Sequence, residues 1–316
     1  MKHSVLLIIT FLVVKVGYGQ GLIGSPEKTT AHQNIRGTKT WIIPPSNFTV
    51  TDNYKGFYNP NDKLAMLMLT EMPAPYGKFS ESFKIMEKPL PNGMQITDIK
   101  KYSMPGQSGA MFITINQLSQ GLIFKKYALL FGDSLSSTMI VGIYSKDSVE
   151  TGEKLKRSIM SVYQDSNQAI DARAGLSFTL NEVNSIFKFD NVIGNGLIFS
   201  GKSSPRDKLS FIADKSFMEY NIENKKAFCI SRIKKLPFEN INIDLKRGLT
   251  DVEIDGLKGY ELYAEVQKKG STSQEYIYQL ILFDTTTYYA MIATFAQPSE
   301  STINSIKQFA KSFKRN

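Results

Sequence analysis

Apolar and polar residues alternate along most of this chain in short runs broken by Gly, Pro, Asn and Asp, the period expected of half-buried strands. Trp41-Ile-Ile43, Phe48-Thr-Val50, Gly56-Phe57-Tyr58 and the strongly apolar Leu64–Thr70 come first, the last ended by Pro73 and Pro75. Phe79, Phe83 and Met86 then recur at helical spacing and predict a short helix, stopped before Pro89 and Pro91. Four strands with tight links follow, Asp98–Tyr102, Ser108–Asn116, Gly121–Phe131 and Thr138–Tyr144, which reads as an antiparallel meander. A helix over Ser148–Val162 carries Leu155, Ile159 and Val162 on one side.

The order then recurs. Leu176–Leu180, Ile186–Phe189, Leu197–Phe199, Phe217–Tyr220 and Ala227–Ile233 read as strands, and Phe238, Ile241 and Leu245 as a short helix matching the Phe79 one. Asp251–Ile254, Gly259–Gln267, Glu275–Phe283 and Tyr288–Phe295 form a second meander. A last helix, Ser299–Phe313, turns Ile303, Ile306, Phe309, Ala310 and Phe313 inward. Gly106-x-x-Gly109 answers Gly256-x-x-Gly259, Tyr127-x5-Asp133 answers Tyr278-x5-Asp284, and Met139-Ile140 answers Met291-Ile292, an offset of about 150 residues. That is one domain length. The chain therefore divides into a polar leader 20–39, a first domain 40–163, a linker 164–175 and a second domain 176–316, each domain an α+β unit in which packed helices cover an antiparallel meander.

The first residues stand apart. Lys2-His3, the apolar run Val5–Val14 and the small residues Gly17 and Gly19 predict a signal peptide over 1–19, cleaved before Gln20. The run is too short to span a bilayer, and nothing later approaches the required length. Export makes the chain periplasmic or secreted. One cysteine, Cys229, cannot pair within the chain and sits in an apolar strand-like run as a small hydrophobe, which suits a bacterial envelope.

Histidine supplies the sharpest exclusion. Of two, His3 leaves with the leader and His32 lies in the polar stretch before the first domain. Triads, zinc sites and haem sites have almost nothing to draw on, so no catalytic, cofactor-binding or metal residue is assigned and no cofactor is expected. The net charge of +9, spread as lysine pairs over both halves, reads as protected sheet edges. No recognition helix or basic stripe points to nucleic acid.

The element order, with its Gly-x-x-Gly strand entries at Gly106–Gly109 and Gly256–Gly259, strands ending at Asp133 and Asp284, Met-Ile strands and closing Ser312-Phe313-Lys314, resembles the PsbP/Mog1-like superfamily, including exported bacterial DcrB-like proteins, in two tandem copies. The resemblance implies a binding or assembly module. Asp133 and Asp284 read as turn-closing carboxylates. Asp251, Glu253 and Asp255 share a strand face, and with Asp284 they carry the alternative of a carboxylate-dependent glycan-active hydrolase, which requires two acids converging in a cleft. Tyr288-Tyr289 puts one ring on each face of its strand, the outward one available to a glycan or protein. The leading expectation is an exported, non-catalytic binding or assembly module of the bacterial envelope, with an envelope protein or glycan as partner.

Overall fold

The computed structural model describes residues 21–25, 27–83, 93–119, 121–202, 209–244, 248–267, 270, 273–296 and 298–316. The expected signal peptide, with its cleavage point, lies outside them, as do Met86 of the first short helix and Leu245 of the second.

The first half runs β1 (Gly21–Leu22), β2 (Gln33–Asn34), β3 (Thr40–Ile42), β4 (Thr49–Val50), β5 (Gly56–Asn59), β6 (Asp62–Met72), α1 (Tyr76–Ser82), β7 (Met94–Ser103), β8 (Gly109–Ser119), β9 (Leu122–Gly132), β10 (Ser137–Ser145), α2 (Val149–Met160) and β11 (Tyr163–Gln164). The second runs β12 (Phe178–Thr179), β13 (Phe187–Ile193), β14 (Gly196–Gly201), β15 (Ser210–Lys215), α3 (Lys225–Lys234), β16 (Asn240–Ile243), β17 (Thr250–Ile254), β18 (Leu257–Gln267), β19 (Gln274–Phe283), β20 (Tyr288–Phe295), α4 (Glu300–Ala310) and β21 (Lys314–Arg315).

These strands make two large sheets. One is ordered β1-β7-β8-β9-β10-β6-β5-β4; the other is β13-β14-β15-β20-β19-β18-β16, with β17 also on β18. Apart from β1, which lies parallel to β7, the ladders are antiparallel. Two small sheets, β11-β3-β2 and β12-β21, tie each closing segment back to the start of its own half.

The expected α+β class is corrected by this count. Among the described residues the architecture is mostly antiparallel β, in several sheets, with four helices of only 7 to 12 residues as caps. Several segments differ from the expected elements. The run around Ile241, read as a helix, is β16, and the polar leader contributes β1 and β2 to sheets. Conversely, Ala227–Ile233, read as a strand, lies in α3: Asn224 Oδ1 accepts the Ala227 N–H at 2.9 Å as an N-cap, and Cys229 and Ile233 face the sheet one turn apart.

Each sheet is covered on both faces. α2 lays Leu155 and Ile159 against Leu129, Ile140 and Phe131, while α1 sets Phe79 and Phe83 against Met111, Ile113 and Leu130 on the opposite face. In the second half α4 and α3 take the same two faces. The meander strands are therefore buried on both sides, not half-buried as the expected alternation implies. The leader is held too. Ile23 is fully buried, and His32 bridges to the end of α2. The His32 Nδ1 accepts the Thr29 N–H at 3.1 Å, so Nε2 carries the proton and donates to the Ser161 carbonyl at 2.8 Å.

Candidate functional site

Where the two sheets meet, the halves differ. Residues 73–75 join β6 to α1, but Ser216–Asn224 joins β15 to α3. The longer loop is fastened at both ends: the Ser216 N–H donates to the Tyr288 carbonyl at 2.9 Å and the Tyr220 N–H to that of Thr286 at 2.6 Å. Phe217 and Met218 between these anchors, and the Tyr220 side chain at the second, stay 39%, 40% and 42% exposed. Phe217 tilts against Tyr54 of the first half at 6.5 Å, and Glu219 accepts from Lys63 Nζ at 2.7 Å. Asn195 bridges the same seam, its amide donating at 2.7 Å to the carbonyls of both Asn53 and Lys215.

Beneath the loop lies Asp214, paired with Ala290 on the α3 face of the sheet. Its Oδ1 is buried with no hydrogen-bond partner among the described residues. Burial pushes its carboxyl up to about 6, against the opposing pull of Arg232. The folded value exceeds the ordinary 3.8, so the fold favours the neutral acid. The resulting penalty is absent below about pH 4, grows as the group ionises, and is complete above about pH 6. Asp214→Asn should therefore stabilise the protein by about 3 kcal/mol at neutral pH and by under about 1 kcal/mol near pH 4. Melting curves of both proteins across that range check this; a difference that ignores pH would refute it.

The acids singled out from sequence do not gather. Asp251 and Glu253 are exposed on β17. Asp255 and Asp284 converge on a single cation, with Arg315 Nε 2.9 Å from Asp255 and its Nη1 3.5 Å from Asp284. The Arg315 hydrogen bond holds the Asp255 carboxyl below its usual range, the opposite of what a general acid needs. Asp133 closes its turn, with Oδ1 accepting the Leu135 and Ser136 N–H groups at 2.7 and 2.8 Å, and those bonds lower its pKa. In the matching turn Asp284 Oδ1 accepts the Thr285 N–H at 2.8 Å. Neither ring of Tyr288-Tyr289 is free: both are buried, Tyr288 under Phe228 at 5.0 Å and Tyr289 against Phe313 at 4.8 Å. Cys229 is fully buried, and burial pushes its thiol up to about 12, where it is inert. Among the described residues there is no group of three or more metal-ligating side chains and no helix long and apolar enough to cross a membrane.

Sequence reasoning took Phe217–Tyr220 for a strand and so missed the loop. The signal was Asn221 and Asn224 close behind an aromatic run, a turn followed by a cap.

No protein-family model matches the chain, and no curated protein matches it. Among solved structures it is similar to the apo immunity protein TplEi of T6SS from Pseudomonas aeruginosa, at 10% identity over 90% of this chain and 97% of that one, TM-score 0.32. It is also similar to a chain of the Tle4–Tli4 complex, at 10% identity over 92% and 99%, TM-score 0.34. At that identity and score neither fold nor partner transfers from them to this chain.

Proposed function

We propose that this chain is an exported, non-catalytic binding module of the bacterial envelope, built from two PsbP/Mog1-like copies that fold as separate units, with an envelope protein as its partner. The observation that carries the reading is the loop Ser216–Asn224. It is an enlargement confined to one copy, is fixed by backbone hydrogen bonds, and presents Phe217 and Met218 to solvent beside the seam. Fixed loops on a rigid scaffold are where binding side chains concentrate, and exposed apolar residues in a group mark contact surfaces. The glycan-hydrolase alternative has less support, because Asp255 and Asp284 are engaged by Arg315 and do not flank a cleft.

Capture from an envelope extract of the source organism tests this. A single partner at fixed stoichiometry should survive about 0.5 M salt, since an apolar contact is not screened. Met218→Asp should weaken capture about tenfold with unchanged melting temperature, and Phe217→Asp, which also loses the Tyr54 contact, should weaken it as much. Capture that the two variants leave intact, or that vanishes with salt, would place the contact on the lysines instead.

A further inference from the structure

At the opposite end of β20 from that loop, the α4 face of the second sheet runs on beyond the helix. The ladders align its side chains in rows. Asn240, Gln267 and Gln274 form one; Asn242, Glu265, Tyr276 and Phe295 form the next; Tyr263 and Tyr278 follow, with the Asp244 N–H on the Tyr263 carbonyl at 2.9 Å. Alternation puts all three rows on one face. Two adjoining pockets open there, of about 240 and 160 Å³, sharing Glu265. The first is floored by side-chain amides. The second is walled by Tyr263, Tyr276 and Phe295, roofed by Pro298 and Ile303, and bears Asp244 and Glu265.

The first copy shows that the fold does not require this opening. Register places Thr114, Asn116, Lys125 and Tyr144 where the second copy has Tyr263, Glu265, Tyr276 and Phe295. Gly152 stands where α4 has Ile303, and the Tyr144 ring lies so close to it that a β-carbon there would overlap the ring. Tyr144 thus fills the space in the first copy. In the second, Ile303 occupies that position, and Phe295 instead stacks on Tyr276 at 5.9 Å and 27°.

The geometry points to a saccharide-binding site: two adjoining ring-sized pockets for a neutral or amino sugar. Amides and carboxylates together supply donors and acceptors for vicinal hydroxyls. Gln274 donates to Glu265 at 2.9 Å and Asn240 to Gln267 at 2.9 Å, which orients these groups before any ligand arrives. The aromatic wall offers an apolar face for the C–H side of a ring. Glu265 lines both pockets and Asp244 the second, and carboxylates at the wall repel an anionic ligand, so an acidic sugar is disfavoured.

The test is titration of the intact chain, by calorimetry and saturation-transfer NMR, with diacetylchitobiose, cellobiose and, as the acidic control, digalacturonate. One of the first two should bind with Kd below about 1 mM, and digalacturonate at least about tenfold more weakly. Glu265→Ala and Tyr276→Ala should each weaken binding about tenfold. Should Tyr276→Ala fail to fold, the exposed Asn242→Ala replaces it with the same expected loss. No binding of either neutral sugar at about 10 mM, preference for digalacturonate, or binding that folded variants leave unchanged overturns the proposal. The protein-capture experiment reads Phe217 and Met218 at the other end of the sheet, so the two readings fail independently.

Discussion

Replacing Phe309 by alanine is expected to cost about 4 kcal/mol of stability, the largest loss from a single truncation in the second half. Phe309 lies on the inner face of α4 and is 2% exposed. Its ring sits 4.8 Å from that of Phe187, 4.9 Å from Phe199 and 4.9 Å from Phe211, one from each of β13, β14 and β15. One side chain thus clamps the helix to three consecutive strands, and its removal leaves a cavity lined by rings that cannot collapse into it. The first copy solves the same position differently: it has Ser158 there, whose hydroxyl donates to the Ile43 carbonyl at 2.6 Å. Denaturant unfolding of Phe309→Ala, with Phe309→Leu recovering roughly half the loss, is the measurement. A loss under about 1 kcal/mol would mean that the four rings do not hold the helix to the sheet.

The repeat was legible in the sequence, but its register was not. Tyr127 and Tyr278 are true equivalents, as are Asp133 and Asp284, whose N–H groups each donate at 2.9 Å to the third residue on. From that anchor Leu129 matches Leu280. Since Leu129 pairs with Ile140 and Leu280 with Met291, the structural match is Ile140 to Met291. Aligning Met139-Ile140 with Met291-Ile292 slips the strand by one residue. A slip of one turns every side chain to the other face: Met139 packs under α1, whereas Met291 is buried under α4. The Gly-x-x-Gly match slips the same way, because Gly259 pairs with Leu282, whose counterpart Phe131 pairs with Ala110. Strands buried on both faces lack the alternation that would have fixed the register.

The helices were legible in proportion to their length and amphipathicity. α2 and α4 stand within their expected spans, since each has one buried stripe. α3 was hidden because Phe228 and Ile230 flank Cys229, and an apolar run of that length does not distinguish helix from strand. The candidate sites were hidden for another reason. The loop is a difference between copies, and the pockets arise from rows across four strands, so neither exists until register is known.

Glu261→Ala is expected to cost about 3 kcal/mol, by removing an acid from the interior rather than by opening a large void. Glu261 is 5% exposed. It accepts the Tyr278 hydroxyl at 2.9 Å and Lys307 Nζ at 2.5 Å, joining β18, β19 and α4. Burial, and then the charge of Glu261, push the Tyr278 phenol well above the ordinary tyrosine range, so it remains a donor and needs an acceptor. Truncation would strand that hydroxyl, 2% exposed, and leave Lys307 without its anion. The first copy indicates how the network can be dispensed with, since it places Phe112 where the second has Glu261. The triple variant Glu261→Leu, Tyr278→Phe, Lys307→Met should accordingly regain most of the loss, because an apolar set of similar volume replaces all three polar members at once. Denaturant titrations of single and triple variants decide it. A triple variant as unstable as Glu261→Ala would show that the polar network itself specifies how α4 seats on the sheet, whereas a single variant costing under about 1 kcal/mol would show that water takes over the role of Glu261.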